Sequence, residues 1–67
     1  MNIINAIAES YGRKAYRLGT VKIAAEDKAL MLILEDLTPE TVFEAQQRWA
    51  DGYSKEAEYF KIIKSSN

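Results

Sequence analysis

Two groups of side chains have types and spacing that chemistry could use. The first is the stretch from Tyr11 to Arg17, where Arg13, Lys14 and Arg17 alternate with Tyr11 and Tyr16. Cations attract phosphate and aromatic rings stack on unpaired bases, so this mixture suits a nucleic-acid surface. The second is Glu35, Asp36 and Glu40, three acids around one turn. Carboxylates hold hard cations, but the ordered Asp/Asn spacing and glycine of a calcium loop are missing. The chain has no histidine and no cysteine. That removes the commonest general base, the commonest zinc ligand, any disulfide and any thiolate metal site. The glycines stand alone as Gly12, Gly19 and Gly52, so no phosphate-cradling loop is present. We expect a non-enzymatic chain with no cofactor and no metal.

These groups sit on a chain of 67 residues, room for one small domain. A core this small is marginal unless a partner or a second copy extends it. Net charge is -1 and unevenly placed. The first 22 residues carry Arg13, Lys14, Arg17 and Lys22 against Glu9 alone, and the acidic excess lies in the remainder. A sequence pI of about 5.3 weighs against a nucleic-acid surface. No basic segment precedes the first apolar residues, and Glu9 interrupts them, so no signal peptide is expected. The longest apolar run, Ala29 to Leu34, is far below the ~20 residues needed to span a bilayer. The expectation is a cytoplasmic chain without membrane contact.

Periodicity predicts helices. Ile4, Ala8, Tyr11, Ala15 and Leu18 recur at helical spacing. Asn2 or Asn5 suits the start of this first helix, and Gly19 a left-handed end. Gly12 within it costs roughly 1 kcal/mol relative to alanine. Residues 20–34 read two ways. Val21-Lys22-Ile23 alternates like a strand of a hairpin turning at Glu26-Asp27, whereas Ala24 to Asp36 is rich in helix formers. As a helix, the segment is apolar on two faces: Leu30, Ile33, Leu34 and Leu37 on one, Ala25, Ala29 and Leu32 on the other. It would then lie centrally between neighbours. Leu37-Thr38-Pro39 marks another start, with Thr38 as N-cap, Pro39 as first helical residue and Leu37 stapled to Val42. This third helix is expected to end at Gly52. Ser54 would cap a fourth, running to Lys64, and Ser65 to Asn67 would fray. The fold class is therefore all-α, a compact bundle of three to four short helices, with α+β carrying a hairpin at 20–34 as the alternative.

Trp49 shares a face with Val42 and Ala45 and reads as a core anchor; exposed, it would be an interface hot spot. Tyr11 belongs to the first apolar stripe and also reads as core. Phe43, Tyr59 and Ile62 lie off the main stripes of their helices. With Met31 they could form a leftover apolar surface for a partner or a second copy.

The segments IINAIAESYGRKAY, KALMLILEDL, TPETVFEAQQRW and EAEYF, with Leu34, Asp36, Leu37, Pro39, Val42, Ala45, Trp49 and Phe60, resemble the N-terminal helical domain of phage replicative-helicase loaders and inhibitors. The resemblance implies a helical fold and a ring-helicase partner, and assigns no residue to that contact. Met31 and Leu32 stand where the family has an aromatic, and FKIIKSSN replaces the family's proline-containing tail.

The leading expectation is thus a small protein-binding module, a phage or mobile-element adaptor or inhibitor acting on a larger host or replication protein. Its expected contact residues are Arg13, Lys14, Arg17, Met31, Phe43, Tyr59 and Ile62. The alternatives are a nucleic-acid-binding regulator using the basic edge and a structural homo-oligomer.

Overall fold

A computed structural model describes residues 3–65. Helix α1 spans Ile3–Leu18, a single 3-10 turn spans Ala24–Glu26, α2 spans Lys28–Leu34 and α3 spans Pro39–Ser65. The all-α expectation holds. No strand occurs among the described residues, which rules out the hairpin at 20–34.

Local chemistry sets each boundary. Gly19 adopts φ 66°, and its N–H donates to the carbonyls of Ala15 (2.9 Å) and Tyr16 (3.2 Å), closing α1. Of the two proposed caps for α1, Asn5 lies inside the helix and Asn2 lies outside the described residues. Asp27 is extended, and its Oδ1 accepts from the Leu30 N–H at 3.1 Å. That cap divides the expected helix over Ala24 to Asp36 into a 3-10 turn and a short α2. Thr38 caps α3 as expected, with Oγ1 accepting from the Thr41 N–H at 3.3 Å.

The largest departure is at Gly52. α3 runs through it without a break, so the expected third and fourth helices are one. Gly19 alone, among the described residues, has a positive φ. Ser54 is therefore an exposed mid-helix residue and not a cap. Ser65 belongs to α3, while the expected fraying of Ser66 and Asn67 lies outside the described residues.

Gly52 is retained in a helix because of what faces it. A Cβ there would lie 2.0 Å from the Glu9 carbonyl oxygen. The reciprocal contact is tighter, since a Cβ on Gly12 would lie 1.9 Å from the Trp49 carbonyl oxygen. The two glycines let the α1 and α3 backbones approach more closely than any side chain permits. Ala8, Ala15 and Ala45, all buried, extend this contact in both directions.

The two long helices run in the same direction. Asn5 Nδ2 donates to Glu44, Lys55 pairs with Glu9 and Tyr16 stacks on Phe60. Residues 19–38 form the return crossover. α2 inserts Leu30 and Leu34 beside Trp49 to complete the buried cluster. Trp49 is 1% exposed, and its indole N–H donates to Asp27 Oδ2 at 2.8 Å. Asp27 thus starts α2 with one oxygen and holds the core tryptophan with the other. α2 is not central, however. Leu32 is 71% exposed and Ala29 is exposed, as is Ala25 in the preceding 3-10 turn, so the second apolar face of the expected helix points outward. The α1–α3 pair is the centre and α2 covers it, in a slab measuring 45 × 25 × 13 Å.

Candidate protein-binding surface

The Arg13-Lys14-Arg17 edge does not exist as one surface. Positions 9, 13, 16 and 17 recur at spacings of three and four along one side of α1, and 11, 14, 15 and 18 along another. Arg13 and Arg17 point across to α3. Arg17 Nε lies 3.2 Å from Glu56 Oε2, and Arg13 Nη1 lies 3.4 Å from Glu56 Oε1. Glu56 is only 8% exposed. A carboxylate that enclosed needs cationic partners, and the two arginines supply them. Arg13 also approaches Glu9 at 3.6 Å, and Lys55 Nζ reaches Glu9 at 3.2 Å. This flank is an ion network tying α1 to α3. Lys14 lies on the other side, in a groove lined by Tyr11, Leu18, Val21, Glu26, Asp27 and Lys28 among others. Acids and bases alternate there, so the groove carries no net sign to select a partner.

The four expected apolar contact residues do not form one surface either. Met31 is half-buried against the core, with Gln46 Nε2 at 3.9 Å from its sulfur. Phe43 is 64% exposed beside Pro39, Glu40, Glu44 and Gln47 near the start of α3. Tyr59 lies sixteen residues further along the same helix, about 24 Å away at 1.5 Å per residue. Tyr59, Ile62 and Ile63 do come together at i, i+3 and i+4, all exposed, on the last turns of α3. Those turns run past the end of α1, because Phe60 is already level with Tyr16.

Beside this apolar end lies an open cleft lined by Tyr16, Arg17, Gly19, Tyr53, Phe60 and Lys64. Its walls are aromatic. Tyr16 and Phe60 stack with ring centroids 6.0 Å apart, and the Tyr53 ring meets Tyr16 edge-on at 5.3 Å. The chain of rings continues inward from Tyr53 to Trp49 (5.4 Å) and outward from Phe60 to Tyr59 (5.6 Å). Five aromatic side chains therefore connect the buried core to the exposed end.

Sequence reasoning placed Tyr16 only in the basic stretch and assigned Tyr53, Phe60 and Lys64 to no site. A signal was present. Read through Gly52, Trp49, Tyr53, Glu56 and Phe60 recur at four, three and four residues, one unbroken stripe. Treating Gly52 as a stop hid it. An acid within an apolar stripe also points to cations from a neighbouring helix, here Arg13 and Arg17.

Among the described residues no group of acids is arranged to hold a metal ion, and no helix is long and apolar enough to cross a membrane. No known protein family, curated protein or solved structure matches this chain.

Proposed function

We propose that this chain is a non-enzymatic protein-binding module acting through the C-terminal end of α3. The observation that carries the reading is the exposed apolar pair Tyr59 and Ile62 beside an aromatic cleft, in a chain whose core closes without them. Aromatic and aliphatic side chains grouped at a cleft are the usual anchors of protein interfaces. An adaptor or inhibitor of this kind works by occlusion or recruitment, docking a preformed surface on a larger protein. The resemblance to phage helicase loaders and inhibitors makes a ring-shaped replicative helicase the first partner to try.

The nucleic-acid reading loses support because Arg13 and Arg17 both turn toward Glu56 within the chain while Lys14 lines the separate groove beside α2, so the three bases form no row for phosphates. A homo-oligomer remains the third reading, and it predicts stability that rises with protein concentration.

The test is retention of a protein partner by the tagged chain, with a purified hexameric helicase and a host lysate as sources. A partner retained through nuclease treatment and high salt, and lost on Tyr59→Ser with Ile62→Ser, supports the module. Binding abolished by nuclease or falling steeply with salt overturns it in favour of nucleic acid.

A further inference from the structure

Resting on the protein-binding reading, we propose that the cleft between the end of α1 and the last turns of α3 takes an acidic peptide segment. One apolar side chain of that segment enters the cleft and a neighbouring carboxylate meets Arg17 and Lys64.

Both halves of the recognition are built from the cleft lining. Tyr16, Tyr53 and Phe60 offer ring faces and edges to an aromatic or branched aliphatic side chain. The cleft is open to solvent and roughly 640 Å³ in volume, room for one side chain laid against the rings. The charged lining is of one sign. Arg17 and Lys64 line the cleft, and no acid does among the described residues. This contrasts with the groove beside α2, where Lys14 and Lys28 are offset by Glu26 and Asp27. In a chain of net charge -1, a cleft with two cations is a local reversal of sign. Arg17 already shows its preference, since its Nε holds the carboxylate of Glu56 at 3.2 Å. The guanidinium has further N–H donors for a second carboxylate. Gly19 lines the cleft, and a Cβ added there would meet nothing within 4 Å, so that side stands open.

Two other occupants fit less well. A second copy docking through the same end would bring Arg17 and Lys64 of both chains together, and like charges across an interface are costly. A nucleic-acid strand needs a row of phosphate contacts for useful affinity. The cleft offers two cations, one of them engaged by Glu56.

The experiment uses the whole chain and three probes: an acetylated and amidated Glu-Glu-Phe-Glu-Glu peptide, its Lys-Lys-Phe-Lys-Lys counterpart, and a short thymidine strand. Backbone amide NMR shifts locate the contact, and Trp49 fluorescence reports it through the stacked Tyr53. The acidic peptide should shift Gly19, Phe60 and Lys64 and bind more tightly than the basic one. Lys64→Glu, at an exposed position, should keep the helical circular dichroism and weaken the acidic peptide by about fivefold. Equal affinity for both peptides, shifts confined to other faces, no binding, or preference for the thymidine strand would overturn the proposal. The broader reading fails separately. If a partner protein is held equally by the native chain and by Lys64→Glu, the module stands and this cleft is not its acidic-peptide site.

Discussion

Gly52→Ala should destabilise this protein even though helix propensity favours it. In an open helix interior the exchange gains about 1 kcal/mol. Here the new Cβ would lie 2.0 Å from the Glu9 carbonyl oxygen and 2.9 Å from the carbonyl carbon. A comfortable C···O approach is about 3.3 Å, so α1 and α3 must separate by roughly 1.3 Å at the crossing. The obstructing atoms are backbone, and no side chain can swing aside to relieve them. Separation also loosens the contacts of Ala8 and Ala45, because a gap of 0.5–1 Å already forfeits about a quarter to a half of the dispersion attraction. Overpacking a rigid site costs about 3 kcal/mol at the upper end of its usual range. Subtracting the propensity gain leaves a loss of about 2 kcal/mol, or roughly 8–16 °C in Tm for a domain of this size. Thermal and urea denaturation followed by circular dichroism measure it. Ser54→Ala is the control, two residues along the same helix but exposed. It should gain a few tenths of a kcal/mol, because Ser54 caps nothing. A Gly52→Ala variant as stable as the parent would refute the close crossing. A loss of about 1 kcal/mol in Ser54→Ala would refute the continuous α3.

Further outcomes follow from other contacts. Trp49→Ala should cost about 3–5 kcal/mol, enough to unfold so small a chain, and circular dichroism would register the loss of helix. A folded variant that has lost only a partner would contradict the core position. Asp27→Ala should cost about 2 kcal/mol, combining the lost α2 cap with the lost indole partner, while Asp27→Asn should cost roughly half because asparagine also caps. Chemical denaturation of the pair separates the two roles, and equal losses would mean that only the charge matters. Glu56→Gln should cost about 1–2 kcal/mol, modest for an enclosed carboxylate because Arg13 and Arg17 are about half exposed. A neutral result in urea denaturation would place the arginines in solvent instead.

The all-α class, the left-handed glycine after α1, the Thr38-Pro39 start and the buried tryptophan were all legible, because each is a local rule read within a few residues. Gly12 and Gly52 were misread for one reason. Their role depends on a backbone forty residues away, and within a single helix a glycine signals only weakness or an end. Asp27 was hidden in the same way, since Trp49 gives no sign along the chain of needing an acceptor from residue 27. The basic cluster is divided because Arg13 and Arg17 turn to Glu56 on α3 whereas Lys14 lines the groove beside α2, and neither neighbour is visible from the stretch itself. The cleft became visible only once α3 was read through Gly52, which aligned Tyr53 and Phe60 with Trp49.

The parallel placement of α1 and α3 carries a consequence for how the chain acquires its shape. Residues that meet across this pair, such as Asn5 with Glu44 and Tyr16 with Phe60, lie about forty positions apart in a chain of 67. Two helices joined by a tight turn would zip from neighbouring residues. This topology must instead close a loop over most of its length before its main contacts form, and that entropy precedes the gain. Folding should therefore be slow for a helical protein and strongly cooperative. Neither α1 with α2 nor α2 with α3 contains the Gly12–Gly52 crossing, so a ribosome-bound fragment ending before Gly52 lacks the contact that joins the two long helices.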